Sequence, residues 1–171
     1  MICPNCGHYN LPGTEECSCC LQPLTLLDLP IASDHVERSL MEEPVKALCP
    51  REPITLSPTT TIQEAMQTML AHDVGAVIVT DKDGRLMGIF SERDLMSKVA
   101  GLQPNYAQLP IAQFMTTNPE TVDAESTLAE AINKMNVGGY RHLPVVNKGR
   151  PTGVVSVRDM LRHITRQCWN N

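Results

Sequence analysis

The chain writes one seven-residue phrase twice, Gly88-Ile89-Phe90-Ser91-Glu92-Arg93-Asp94 and Gly153-Val154-Val155-Ser156-Val157-Arg158-Asp159. In each copy an apolar extended run meets a Ser-x-Arg-Asp sequence followed by apolar residues at helical spacing, so the phrase marks a strand running into a helix. A helix start exposes unpaired backbone N–H groups that can hold phosphate, and a nearby carboxylate can accept from sugar hydroxyls. Each junction is therefore a candidate nucleotide-binding corner. The competing reading is that the Asp merely caps its helix.

Working outward, a shift of 66 residues lays Pro53 on Pro119, Thr55 on Thr121, Thr61 on Thr127, Glu64 on Glu130, Ala65 on Ala131 and Met69 on Met135. One residue is lost between the turns Asp81-Lys82-Asp83-Gly84 and Asn147-Lys148-Gly149, after which a shift of 65 aligns the two phrases. The chain is a tandem duplication. Thr61 and Glu64 read as a capping box ahead of Ile62, Ala65, Met66, Met69 and Leu70, which share one helical face; Thr127, Glu130, Leu128, Ala131, Ile132 and Met135 repeat the pattern. Residues 76–80 with 85–90, and 143–146 with 152–155, flank Asp83-Gly84 and Lys148-Gly149 as hairpins. Short extended pieces at 54–56 and 120–122 precede the first helices, and second helices carry Leu95 and Val99, then Leu161 and Ile164. The expected class is α+β: two β-α-β-β-α repeats, at 44–101 and 102–171, packed as a pseudo-twofold pair around a common core with two equivalent clefts.

Ahead of the repeats, Cys3-Pro4-Asn5-Cys6-Gly7-His8 and Cys17-Ser18-Cys19-Cys20 supply two CxxC pairs separated by ten residues. Such loops bring four sulfurs to one tetrahedral ion, and bound zinc replaces the core that so short a segment lacks. Cys3, Cys6, Cys17 and Cys20 are the expected ligands, with Cys19 or His8 as substitutes; four thiolates close the site, so the Zn2+ is structural. Residues 1–24 resemble a zinc ribbon, with Asn10, Gly13 and Pro23-Leu24 matching that family's pattern, Leu21 standing where it has Gly, and Cys19 extra. The connector 25–43 starts with an apolar stretch broken by Pro30 and continues as a short helix capped by Ser33 or Asp34.

Composition bounds the rest. A length of 171 residues, 42% hydrophobic, allows one ordinary core and a small appendage. A net charge of -5 disfavours a general nucleic-acid surface. No apolar run approaches the ~20 residues of a spanning helix, and the start lacks a secretory signal. Five of the seven Cys lie in the first 20 residues in paired spacing, which favours metal in a reducing compartment. A soluble cytoplasmic protein is expected.

The helix-hairpin-helix layout, the Gly-x-x-Ser-x-Arg-Asp phrase in both copies, and Arg141-His142-Leu143-Pro144-Val145-Val146 on the second hairpin together resemble a tandem pair of CBS (cystathionine beta-synthase) domains over about residues 44–166. The resemblance implies adenosyl ligands (AMP, ADP, ATP, S-adenosylmethionine or NAD) between the repeats, and pairing into a homodimer. It also implies that Asp159 and Asp94 accept from ribose hydroxyls and that Ser156 and Ser91 contact phosphate, with Arg158 and Arg93 as charge-assisted donors nearby. Arg141 and His142 are expected as phosphate contacts in the Asp159 cleft, the tighter of the two. Ile54 would line that cleft and Glu120 the Asp94 cleft, with Gly75 and Ala76 leaving room for a base.

Two functions follow as expectations: a regulatory sensor that binds an adenine nucleotide, or a zinc-dependent adaptor for a protein partner with the repeats as a dimerising platform. For an enzyme, the sequence offers no nucleophile beside a base, no phosphate loop with Lys and no open metal site.

Overall fold

In the computed structural model, which describes residues 3, 6–11, 14–24, 32, 34–99, 101 and 105–169, Thr61 opens the first repeat as its sequence predicts. Its hydroxyl accepts from the Glu64 N–H, and the Glu64 carboxylate accepts from the Thr61 N–H at 2.9 Å, completing the capping box. In the second repeat only half of that box forms. Thr127 accepts from Glu130 N at 3.2 Å, but the Glu130 carboxylate turns to Ser126 and to Lys134 at 3.0 Å, which together hold it below the usual carboxylate range.

The elements are α1 (His35–Glu42), β1 (Thr55–Leu56), α2 (Ile62–Ala71), β2 (Ala76–Thr80), β3 (Leu86–Ser91), α3 (Glu92–Asp94), β4 (Thr116–Thr117), α4 (Leu128–Gly138), β5 (His142–Asn147), β6 (Arg150–Ser156) and α5 (Val157–Trp169). Contacts divide the chain into two units, Met1–Arg38 and Ser39–Asn171. In the larger unit one sheet has the order β1-β2-β3-β4, with β1 parallel to β2 and the other pairs antiparallel; β5 and β6 form a separate hairpin. The β5–β6 turn has positive φ at both Lys148 (50°) and Gly149 (79°), the conformation that a tight two-residue hairpin needs.

The two repeats complete each other. Thr116–Thr117, which precedes the second repeat's first helix, pairs with Gly88 and Ile89 of the first repeat's sheet, and Arg51 bridges to Val154 of the second repeat's hairpin. Ile62 N donates to Leu109 O at 2.9 Å and Leu128 N to Glu43 O at 3.0 Å; Ile111 N donates to Thr60 O at 2.9 Å and Val45 N to Ser126 O at 2.8 Å. These pairs interconvert under the 66-residue shift. The strand expected at 120–122 is reduced to one parallel bridge, Val122 to Val145, the counterpart of the Leu56–Val79 pair.

The expected common core is in fact layered. Ile62, Ala65, Met69, Val77, Val79, Phe90 and Val99 bury together with Ile111 from the other repeat's leading segment. Val122, Leu128, Ala131, Met135, Leu143, Val145, Val155 and Met160 do the same with Val45. A thin third layer of Ala76, Ile78 and Ile89 meets Val154 where the sheets face each other. The β2–β3 hairpin is thus covered on both faces, because one face packs on its helices and the other on its twin.

The second helices differ from each other. After Glu92–Asp94 the chain continues as a π turn over Leu95–Val99, with Ser97 Oγ donating to Arg93 O at 2.7 Å. Such back-bonding by a Ser inside a helix distorts the ladder, whereas α5 stays α-helical for 13 residues. In the connector, Asp34 caps α1 by accepting from Glu37 N at 2.8 Å. Leu40 packs against the second repeat's core, and the buried Ser39 hydroxyl lies 2.7 Å from both Glu43 Oε1 and His163 Nε2. The apolar stretch 25–31 and Ser33 lie outside the described residues. Among the described residues no helix is long and apolar enough to cross a membrane.

Close approach of the exchanged segments explains the Gly that leads each phrase. A Cβ on Gly88 would stand 2.6 Å from Met115 Sδ and 2.9 Å from the Thr116 carbonyl; one on Gly153 would stand 2.7 Å from Pro50 Cβ. Gly88→Ala and Gly153→Ala are each expected to lower the unfolding free energy by about 1–3 kcal/mol, read as a lower urea midpoint at unchanged slope.

Candidate functional site

Both Ser-x-Arg-Asp corners fold as reciprocal capping boxes. Asp94 Oδ2 accepts from Ser91 N at 3.0 Å and from Ser91 Oγ at 2.6 Å, while Ser91 Oγ accepts from Asp94 N at 3.4 Å. Ser156 and Asp159 repeat this at 2.9, 2.6 and 3.3 Å. The Ser is therefore the N-cap and the Asp lies in the first helical turn, which corrects the reading of the Asp as the cap. A hydroxyl has a single proton, and here the carboxylate takes it, so neither Ser is a free donor to phosphate.

Beyond the shared box the corners diverge. The second oxygen of Asp94 accepts from Lys98 Nζ at 2.6 Å and from Thr116 Oγ1 at 3.1 Å, and Lys98 also donates to Phe114 O at 3.0 Å. Among the described residues the second oxygen of Asp159 faces only a loose pairing with Arg162, at 3.6 Å. Asp94 is correspondingly buried and Asp159 half-buried.

A cavity of about 220 Å3 opens at the Asp94 corner. Of the residues expected at a site, Gly75, Ser91, Arg93, Asp94, Glu120, Arg141 and His142 line it; Ile54, Ala76, Ser156, Arg158 and Asp159 do not. Arg141 and His142 thus wall the cavity at the Asp94 corner, while His142 also pairs with Ser156 across the hairpin and feels the charge of Asp159. The cause is the facing of the two hairpins, which sets the start of β5 over the start of β2. A Cβ on Gly75 would meet the His142 ring and Glu92 Oε2 at 3.2 Å, so these two side chains stand close beside Gly75 on the cavity wall. Ala76 is buried in the layer between the sheets, and Ile54 packs against the first repeat's core while its carbonyl accepts from Ile78 N. Arg93 Nη1 donates to the carbonyl of Gly139 at 2.5 Å, tying the corner to the end of α4.

Sequence reasoning missed Glu92, Lys98, Thr116 and Tyr140 on the cavity wall. Lys98 lies four residues after Asp94, a helical ion-pair spacing that marks it in retrospect; Thr116 comes from the exchanged strand and carries no local signal. His142 is held below its usual pKa chiefly by burial, against the pull of Glu92 and Asp159.

In the smaller unit the Sγ atoms of Cys3, Cys6, Cys17 and Cys20 lie within 4.8 Å of one another. Cys3 to Cys20 and Cys6 to Cys17 are each 3.6 Å, close to the ~3.8 Å edge of a tetrahedron with Zn–S bonds of about 2.3 Å. Asn10 Nδ2 and Cys19 N each point at Cys17 Sγ from 3.5 Å, the outer-shell donors that a thiolate ligand needs. Burial raises the Cys17 thiol, but the N–H groups of Cys20 and Cys19, with Asn10 and Cys6, outweigh it and bring it down to about 6. The set fits a four-thiolate metal, while the Cys19 and His8 side chains stay exposed and outside it. Leu21 has φ 56°, a left-handed conformation that explains the Gly usual at that position of a zinc ribbon.

The family model for the CBS domain matches residues 45–101 and again 111–166. The chain belongs to the CBS domain family. A CBS domain-containing protein of Arabidopsis thaliana, CBSCBSPB1, is 35% identical over 120 residues, covering 70% of this chain and 22% of the relative's own length. The structure of the CBS-domain containing protein ATU1752 from Agrobacterium tumefaciens matches with a TM-score of 0.66 at 38% identity, over 70% of this chain and 98% of that one. The CBS domain pair of protein MJ0100, in complex with 5-methylthioadenosine and S-adenosyl-L-methionine, matches with a TM-score of 0.64 at 26% identity, over 70% and 94%. The cysteine cluster lies outside the segments that the family model covers.

Within this CBS pair, Asp94 carries more structure than Asp159, because its loss strands Lys98 and Thr116 as well as the cap. Asp94→Ala is expected to cost about 2–4 kcal/mol of unfolding free energy and Asp159→Ala about 1 kcal/mol, compared by urea denaturation of the two variants without ligand.

Proposed function

We propose that this CBS pair is a regulatory module that binds an adenosine-containing ligand, an adenine nucleotide such as AMP, ADP or ATP, in the cavity beside Asp94. The observation that carries the reading is the convergence of a buried carboxylate with Arg141, Lys98 and His142 on one cavity between the repeats. A carboxylate accepts both ribose hydroxyl protons, and the cations face the end where phosphate would lie. The adenosyl complex of the similar MJ0100 pair supports the class of ligand. Pairing with a second copy belongs to the same proposal: Met96, Val157 and Leu161 leave apolar surface exposed on the second helices, at 72, 48 and 62%.

Calorimetric titration of AMP into the full chain should give micromolar binding, about 8 kcal/mol, weakened at least tenfold by Asp94→Asn and much less by Asp159→Asn. Equal affinity in all three proteins would overturn the site. A phosphate beside His142 raises its depressed pKa, so binding near pH 6 should take up protons, visible as a dependence of the enthalpy on the buffer. Without ligand the sign is opposite in kind: the neutral ring contributes stability above the unfolded value of about 6.5, which is lost as pH falls through the lower folded value.

The cysteine cluster supports a second, independent assignment, a structural zinc held by Cys3, Cys6, Cys17 and Cys20. Metal analysis of protein purified without chelator is expected to find one zinc per chain, lost in Cys17→Ser and kept in Cys19→Ser. Zinc retained by Cys17→Ser would count against the site.

A further inference from the structure

Two groups at the proposed site, Lys98 and Thr116, hold the Asp94 oxygen that a ribose would need, and Lys98 is the charged one of the two. The cap already uses Oδ2, and Lys98 holds Oδ1 at 2.6 Å in a pair whose carboxylate side is 7% exposed and whose ammonium side is 42% exposed. Resting on the adenosyl-binding reading, we infer that Lys98 sets the selectivity of this site: it excludes neutral nucleosides and admits those that bring their own anion.

The argument is one of charge exchange. A neutral adenosine that takes Asp94 Oδ1 drives the Lys98 ammonium off a mostly buried carboxylate and offers nothing in return. An adenosine phosphate supplies a replacement anion, and Lys98 lines the same cavity as Arg141 and His142, so its flexible chain can turn toward that anion and stay paired. The cavity's other charges sharpen the effect: Glu92, Asp94 and Glu120 oppose Arg93, Lys98 and Arg141 in equal number, so removing one cation leaves the wall net acidic. Among the described residues the second corner has no such device. The residue that aligns with Lys98 is His163, which bonds Ser39 at 2.7 Å, and beyond its cap to Ser156 the Asp159 carboxylate pairs with Arg162 at 3.6 Å.

The test is a pair of titrations, adenosine and AMP, into the full-length protein and into Lys98→Met, with Lys98→Arg as the charge-retaining control and circular dichroism to verify folding. Lys98→Met should bind adenosine about tenfold more tightly than wild type and AMP about tenfold more weakly, with the wild-type preference largely kept by Lys98→Arg. Equal changes for both ligands, or weaker binding of adenosine, would overturn the role of Lys98 while leaving the site intact. Absence of binding by either compound to the wild type would instead remove the adenosyl reading, and this inference with it.

Discussion

The structure depends on a reciprocal exchange at the front of each repeat. Neither sheet is finished by its own sequence: Thr116–Thr117 closes one and Arg51 crosses the other. Neither helix-on-sheet core is finished either, since Val45 fills the second repeat's and Ile111 the first's. The exchange converts a duplicated sequence into one cooperative unit, because opening either repeat exposes apolar surface of both. It also fixes the distance between the two corners, since the chain that leads into each repeat must run beneath the other's Gly.

The same constraint explains why a phrase written twice has two outcomes. Capping is local, set by residues three apart, so Ser91 with Asp94 and Ser156 with Asp159 have nearly the same geometry. The remaining carboxylate oxygen is satisfied from farther away, by the exchanged strand and the next helical turn. At those places the copies differ: Thr116 and Lys98 serve the first, whereas Arg51 and His163 stand in the second. Buried polar groups must be partnered, so the first carboxylate could sink to 5% exposure while the second stayed nearer the surface.

What the sequence made legible follows the same division by range. Helix starts, hairpins and the four clustered cysteines rest on spacings of two to seventeen residues, and the duplication on one constant shift of 65 or 66, so each is visible as a pattern. The exchanged strands are two residues long or a single bridge, too short for any period to show, and their partners lie dozens of residues away. Part of the cavity wall, Thr116 above all, escaped notice for that reason, although Gly75, Ser91, Arg93, Asp94, Glu120, Arg141 and His142 were named. Arg141 and His142 were recognisable as site residues, but which corner they serve depends on how the hairpins face, a tertiary fact. The repeated phrase also carries structural duties: Gly88 and Gly153 admit the close approach of another segment, and both Ser-Asp pairs cap their helices.

Those structural duties bear on how a ligand would be sensed. Asp94 joins three segments at once: its own helix through Ser91, the π turn through Lys98, and the exchanged strand through Thr116, with Lys98 also gripping Phe114 O. A ribose that accepts one of these roles necessarily removes another, so occupancy at the corner changes what holds the segment at 114–117 to the first sheet. Differential contact of this kind is what a ligand needs in order to shift an equilibrium between two packings. Among the described residues the second corner, capped in the same way, has no side-chain cross-link to the exchanged strand, so on the proposed reading the first corner is the one whose occupancy would be felt beyond its own helix.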